Sequence, residues 1–184
     1  MEISYKHKHA EIIDRCVRGE QKAFHEIYQL YSKAMFNICY RILGEQELAE
    51  DILQDAFVSA FQNIKSFRGT SSFGAWLKKI VVNKAISHLR KQQLEMVEFN
   101  DRVEISDEGN QDDRDLMLKV ETVRGAIQKL PNGFRIVFSL YLLEGYDHKE
   151  IAEILDISES TSKSQYNRAK KKLREIINEE VYYG

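Results

Sequence analysis

Ser160, Ser164, Asn167 and Lys171 follow one another at intervals of four, three and four residues, which puts them on one face of a helix. Two hydroxyls, a carboxamide and an ammonium group can donate and accept hydrogen bonds, and they form no set suited to breaking a covalent bond. Such a face can read base edges in a major groove, while Lys163, Arg168 and Lys172 beside it supply charge for phosphate oxygens. An ordinary solvated helix face has a similar composition, and this stretch alone leaves both readings open. At about 100° per residue, Ser162, Tyr166, Ala169 and Leu173 cluster on the opposite side as a packing stripe.

The segment before this helix carries Ile151, Ile154 and Leu155 at helical spacing, with small Ala152 at the packing point. Asp156-Ile157-Ser158 is a three-residue turn, and Ser158 can cap the second helix, so the pair has the pattern of a helix-turn-helix. Helical periodicity and a single proline predict an all-α chain, with helices near 10–18, 21–42, 46–65, 72–93, 115–130, 132–144, 148–155 and 159–178. Gly69 marks a turn before the fourth helix, which Ser71 is expected to cap.

Charge divides the chain more clearly than its total of −2 suggests. Residues 1–91 carry +4, residues 92–115 carry −7 and residues 116–184 carry +1. The acidic middle has weak apolar periodicity and is expected to be a flexible linker between two small helical domains, 1–91 and 116–184. Extended, its 24 residues would span roughly 80 Å, about 24 base pairs of B-DNA. Cys16 and Cys39 lie among apolar neighbours and are expected in the core. No GxSxG, HExxH or phosphate-cradling glycine loop is present, and the five histidines are scattered; His7 and His9 alone do not make a metal site. The expectation is a cytoplasmic, non-enzymatic protein without metal or cofactor, membrane insertion or signal peptide.

The stretch LPNGFRIVFSLYLLEGYDHKEIAEILDISESTSKSQYNRAKKKL resembles region 4 of an extracytoplasmic-function (ECF) sigma factor of RNA polymerase. RGEQKAFHEIYQLYS, AEDILQDAFVSAFQNI and FRGTSSFGAWLKKIVVNKAISHLRKQ resemble region 2, in order, so the resemblance covers nearly the whole chain. Asp156 stands where many relatives have Gly, Ser162 where Val is common, and Ser87 where Asp is common.

The resemblance implies promoter-specific initiation with core polymerase, with an anti-sigma factor as a further partner. Asp51, Gln54, Asp55, Val58 and Gln62 form a mixed acidic and apolar stripe on the helix that, in the family, docks on the clamp helices of the largest subunit. The FRGTSS loop and the next helix would read and melt the minus-10 element. Phe67, Arg68, Thr70, Ser71, Ser72 and Asn83 would contact DNA there, and Lys79, Lys84, Arg90 and Lys91 would hold phosphates. Trp76 could stack on a base, but Phe73, Trp76, Leu77 and Ile80 form a coherent apolar stripe and assign it to the core. The helix-turn-helix, with Ser160, Lys163, Ser164, Asn167, Arg168, Lys171 and Lys172, would read the minus-35 element. A helix-turn-helix regulator acting on duplex DNA without polymerase is the alternative, and a pure interaction protein a third reading.

Overall fold

The computed structural model describes residues 9–95 and 120–183, and every regular element among them is helical. Helices α1 (Ala10–Val17), α2 (Gln21–Leu43), α3 (Gln46–Gln62) and α4 (Phe73–Glu95) form one bundle. Helices α5 (Val120–Gln128), α6 (Asn132–Phe138), α7 (His148–Leu155) and α8 (Glu159–Tyr183) form the second group.

Most boundaries match the sequence periodicity, and the departures have local causes. The third helix was expected to reach residue 65, but it stops at Gln62. Asn63 turns its side-chain amide back onto the Ser59 carbonyl, 2.8 Å away, and only a short 3₁₀ turn, Ile64–Ser66, follows. The cap of α4 is Ser72 rather than the expected Ser71: the Ala75 N–H donates to Ser72 Oγ at 3.2 Å. Buried Phe73 must be the first inward-facing helical residue, which leaves the preceding position for the cap. The helix expected over 132–144 changes pitch. After Phe138 the chain widens into a π-helical turn, Ser139–Leu143, closed by the Glu144 N–H on the Ser139 carbonyl at 3.0 Å. Helix α4 continues through Glu95, into the stretch expected to be linker. The remainder of that stretch, residues 96–115, lies outside the described residues, as do 115–119 of the expected fifth helix, and His7.

The larger core is built from α1–α4, with Ile27, Ile42, Phe73 and Leu77 fully enclosed. It continues without a break into Ile136, Val137, Leu140 and Ile151 of the second group. A smaller core joins Ala126, Ile127, Leu130 and Phe138 to Ala169 and Leu173 of α8. Each fully buried aliphatic side chain of this kind contributes about 1.5 to 3 kcal/mol.

The seam between the groups is also polar. Arg135 of α6 is buried, and its Nε–H donates to the Arg41 carbonyl at 3.0 Å while Nη2 reaches the Ile42 carbonyl at 3.4 Å. These are terminal carbonyls of α2, where the helix dipole favours a cation. Burial pulls the Arg135 guanidinium below its ordinary pKa. Helix α2 ends at Gly44 with φ +80°, and a Cβ there would lie 2.7 Å from the same guanidinium.

Two predictions follow from these positions. Burial pushes the Cys39 thiol up to about 12 and the Cys16 thiol up to about 11, so neither forms thiolate near neutrality. An aromatic disulfide reagent at pH 8 should titrate no fast thiol in the native chain and two after denaturation. Gly44→Ala meets both left-handed strain and the Arg135 side chain, and should lower stability in urea unfolding by at least about 1 kcal/mol.

Candidate nucleic-acid interface

Helices α7 and α8 are joined by the turn that the sequence indicates. Asp156 ends α7 in the left-handed region, at φ 57° and ψ 47°, a geometry that Asp adopts more readily than most residues. Ser158 Oγ accepts from the Thr161 N–H at 3.0 Å and so caps α8. At the start of α7, Asp147 and Glu150 form a reciprocal capping box with both bonds at 2.8 Å.

The two faces of α8 separate as the periodicity requires. Ser162 and Ala169 are fully buried, Leu173 is buried and Tyr166 is half-buried, whereas Ser160, Lys163, Ser164, Asn167, Lys171 and Lys172 are exposed. Arg168 is half-buried. Ser162 does not loosen the packing stripe, because its hydroxyl is 2.9 Å from His148 Nδ1. Tyr141 stacks on that imidazole at 4.3 Å and contacts Tyr166 at 4.5 Å, so an aromatic clamp sets the rotation of α8 against α7. Sequence reasoning missed His148 and Tyr141. A polar residue on an apolar stripe was the signal that a hydrogen-bonding partner faced it.

Two of the candidate phosphate anchors have carboxylate neighbours. Lys163 Nζ is 2.6 Å from Glu159, and Lys172 Nζ is 3.0 Å from Glu175. The Lys163 hydrogen bond holds the Glu159 carboxyl below its usual range, and the Glu175 hydrogen bond raises the Lys172 ammonium. Both pairs lie in solvent, where such bridges exchange readily for other anions.

On α3, Ile52, Leu53, Ala56, Phe57 and Ala60 face the core. Asp51, Gln54, Asp55, Val58 and Gln62 are all exposed, Val58 by 55%. Among the described residues, Asp51 and Asp55 have no ion-pair partner, leaving two bare carboxylates around an exposed valine.

The candidates around α4 are divided. Arg68, Thr70, Ser71 and Ser72 are exposed, beside a left-handed Gly69 at φ 71°. Phe67 instead turns inward, with its ring 5.4 Å from Phe73 and 5.5 Å from Trp76. Trp76 is half-buried in the same cluster, which favours its packing role. Lys79, Asn83 and Lys91 are exposed, and Lys84 is half-buried. Arg90, though exposed, donates from Nη2 to the Ile154 carbonyl of α7 at 2.8 Å.

Against known protein families, residues 27–95 match Sigma-70 region 2 and residues 121–173 match Sigma-70 region 4. The chain is 31% identical over 177 residues to the ECF RNA polymerase sigma factor SigW of Bacillus subtilis, covering 90% of this chain and 94% of the relative. The chain belongs to the ECF RNA polymerase sigma factors. The ECF sigma-E factor of Escherichia coli K12 is 30% identical to this sigma factor over 183 residues, covering 92% of each chain. The sigma factor also resembles RpoE of Bartonella quintana, solved with the anti-sigma factor NepR, with a TM-score of 0.56 and 26% identity. That match covers 85% of this chain and 98% of the solved one. No helix of the described residues is long and apolar enough to cross a membrane, and no metal-binding cluster occurs among them.

The rotation of α8 yields a stability contrast. Ser162→Ala removes the partner of a half-buried imidazole and should cost about 1 to 2 kcal/mol in thermal or urea unfolding. Ser164→Ala, on the exposed side, should stay within about 0.5 kcal/mol of the parent.

Proposed function

We propose that this sigma factor docks on core RNA polymerase through α3 and reads promoter DNA through α4 and α8. The reading rests above all on α8, a capped helix held firmly along one stripe and presenting hydroxyl, amide and ammonium groups along the other. Ser160, Ser164 and Asn167 face the minus-35 bases, and Lys163, Arg168, Lys171 and Lys172 take flanking phosphates. Loop residues Arg68, Thr70, Ser71 and Ser72, with Asn83, engage the minus-10 element, while Lys79, Lys84, Arg90 and Lys91 neutralise its backbone. Phe67 joins them only if strand opening draws its ring out of the cluster with Phe73 and Trp76.

The stripe Asp51, Gln54, Asp55, Val58 and Gln62 supports docking on the clamp helices of the largest polymerase subunit, because an apolar centre with acidic flanks complements a basic helical surface. Polymerase supplies the chemistry, and this subunit supplies promoter choice and strand opening in the cytoplasm without a cofactor. An anti-sigma factor is the natural negative partner, in line with the complex of the Bartonella relative. A regulator acting without polymerase would give no role to the bare carboxylates of α3.

Run-off transcription with purified core polymerase on promoter fragments tests the reading, and failure of the chain to associate with core at low salt would refute it. Reversing the charge of Asp51 and Asp55 together should weaken core binding at least tenfold in a pull-down titration, with helicity unchanged. Within the holoenzyme, Asn167→Ala should change preference at individual minus-35 positions, by about 1 to 3 kcal/mol if a bidentate base contact is lost. Lys171→Ala should weaken binding similarly across promoter variants and reduce the salt slope by about one. A base-specific effect of Lys171 and a uniform effect of Asn167 would show that the face is misassigned.

A further inference from the structure

Where α2 meets α5 there is a cleft of about 500 Å³, the size of a pocket for one small organic molecule. Phe36 and Tyr40, one turn apart on α2, line it with stacked rings 7° from parallel. Val123 and Ile127 of α5 add aliphatic surface, and Leu143, 44% exposed at the end of the π-helical turn, completes the apolar lining. None of these residues belongs to the α3 stripe or to the outer face of α8, so the functions proposed above give the cleft no role.

Two polar residues share the lining. Arg41 Nε carries a buried N–H and Gln128 Oε1 is a buried acceptor, and among the described residues neither has a hydrogen-bond partner. Two of the four such side-chain atoms among the described residues therefore line this one cleft. Both residues are tethered through their backbones to Arg135, whose Nε–H donates to the Arg41 carbonyl at 3.0 Å and whose Nη1 reaches the Gln128 carbonyl at 3.5 Å. The continuous core through Ile136, Val137 and Leu140 packs the same junction, so the cleft is a preformed feature with fixed walls. Buried polar atoms without partners in an apolar pocket specify the groups that would complete it.

Charge narrows the class of ligand. Arg41 pairs with Glu144, whose side chain is only 7% exposed and whose carboxylate also lies 4.0 Å from the Lys78 ammonium. An anion in the cleft would have to share Arg41 with that carboxylate, and a cation would meet both Arg41 and Arg124. We propose that the cleft binds a neutral, amphipathic small molecule: an aromatic or branched apolar body carrying a secondary amide, whose carbonyl accepts from Arg41 Nε and whose N–H donates to Gln128 Oε1. A trans amide presents these groups on opposite edges, which suits polar atoms supplied by two different helices. Such a ligand replaces water at both atoms while burying its apolar body against Phe36, Tyr40 and Ile127. The cleft gives the sigma factor a direct chemical input, separate from the surfaces assigned to polymerase and promoter.

The test titrates the full-length chain with N-benzylbenzamide and follows two-dimensional proton–nitrogen NMR spectra. Shifts should concentrate on the Gln128 side-chain amide, the Arg41 Nε–H and the backbone of residues 36–41 and 123–128, with probe-to-ring Overhauser contacts at Phe36 and Tyr40. Benzyl benzoate, in which an ester oxygen replaces the N–H, should bind about tenfold more weakly, because it turns a lone pair toward Gln128 Oε1. In Gln128→Leu, which removes the acceptor at similar size, the two probes should bind within about twofold of each other. Shifts scattered over other surfaces, or none up to the probe's solubility limit, would overturn the site. Equal binding of amide and ester by the parent chain, or a tenfold preference that survives in Gln128→Leu, would overturn the proposed chemistry and leave an apolar groove open to any hydrophobic side chain. The Overhauser contacts and the amide-to-ester ratio of the parent need no variant, so they decide the matter if Gln128→Leu unfolds. Neither polymerase nor DNA is present, and the outcome is independent of the initiation reading.

Discussion

A guanidinium removed from water has to be given acceptors, and those of Arg135 include the last carbonyls of α2. Supplying them determines much else. The end of α2 has to lie open toward α6, which leaves no room for a side chain at residue 44. Helix α6 is thereby fixed against the first bundle, and its other side, with Phe138, carries α8 through Ala169 and Leu173. The outward face of α8 is thus referred, through Arg135 and the apolar contacts of α6, to the bundle that bears the exposed α3 stripe. Losing such a group is costly because its carbonyl partners remain buried without it.

Much of this architecture can be read from local sequence. The spacing of Ser162, Tyr166, Ala169 and Leu173 distinguishes the two sides of α8, and the Asp156-Ile157-Ser158 turn follows from what short polar side chains do at helix ends. Element ends are less legible because neighbouring residues compete for the same role. Ser71 and Ser72 are chemically identical candidates for one cap, and only the inward direction of Phe73 decides between them. The seam was not legible at all, since Arg41 and Glu144 lie 103 positions apart and neither has a local pattern naming the other. What the sequence does offer is a pair of charged residues, Arg135 and Glu144, embedded in the apolar run GFRIVFSLYLLEG, each of which requires a partner at a distance.

The candidate site shows the same division between local and distant information. Exposure of the α3 stripe and of the outer α8 face follows from helical phase. The inward turn of Phe67 and the engagement of Arg90 by Ile154 depend on which surfaces meet. Lys163 and Lys172 fall between these cases: the carboxylates beside them are helical neighbours visible in the sequence, but their pairing matters only because the lysines are also candidates for phosphate.

The π-helical turn at Ser139–Leu143 has an ancestry-level consequence. Such a turn is what an α-helix becomes when it accommodates one surplus residue. Deleting one residue there would restore a regular helix and swing everything beyond it by about 100°, carrying Glu144 away from Arg41 and Lys78. A shorter relative would keep both helical groups and every side chain of the seam, yet the charges would no longer meet. Chain length across these five positions, rather than the identity of any one of them, is then what keeps Glu144 against Arg41 and Lys78.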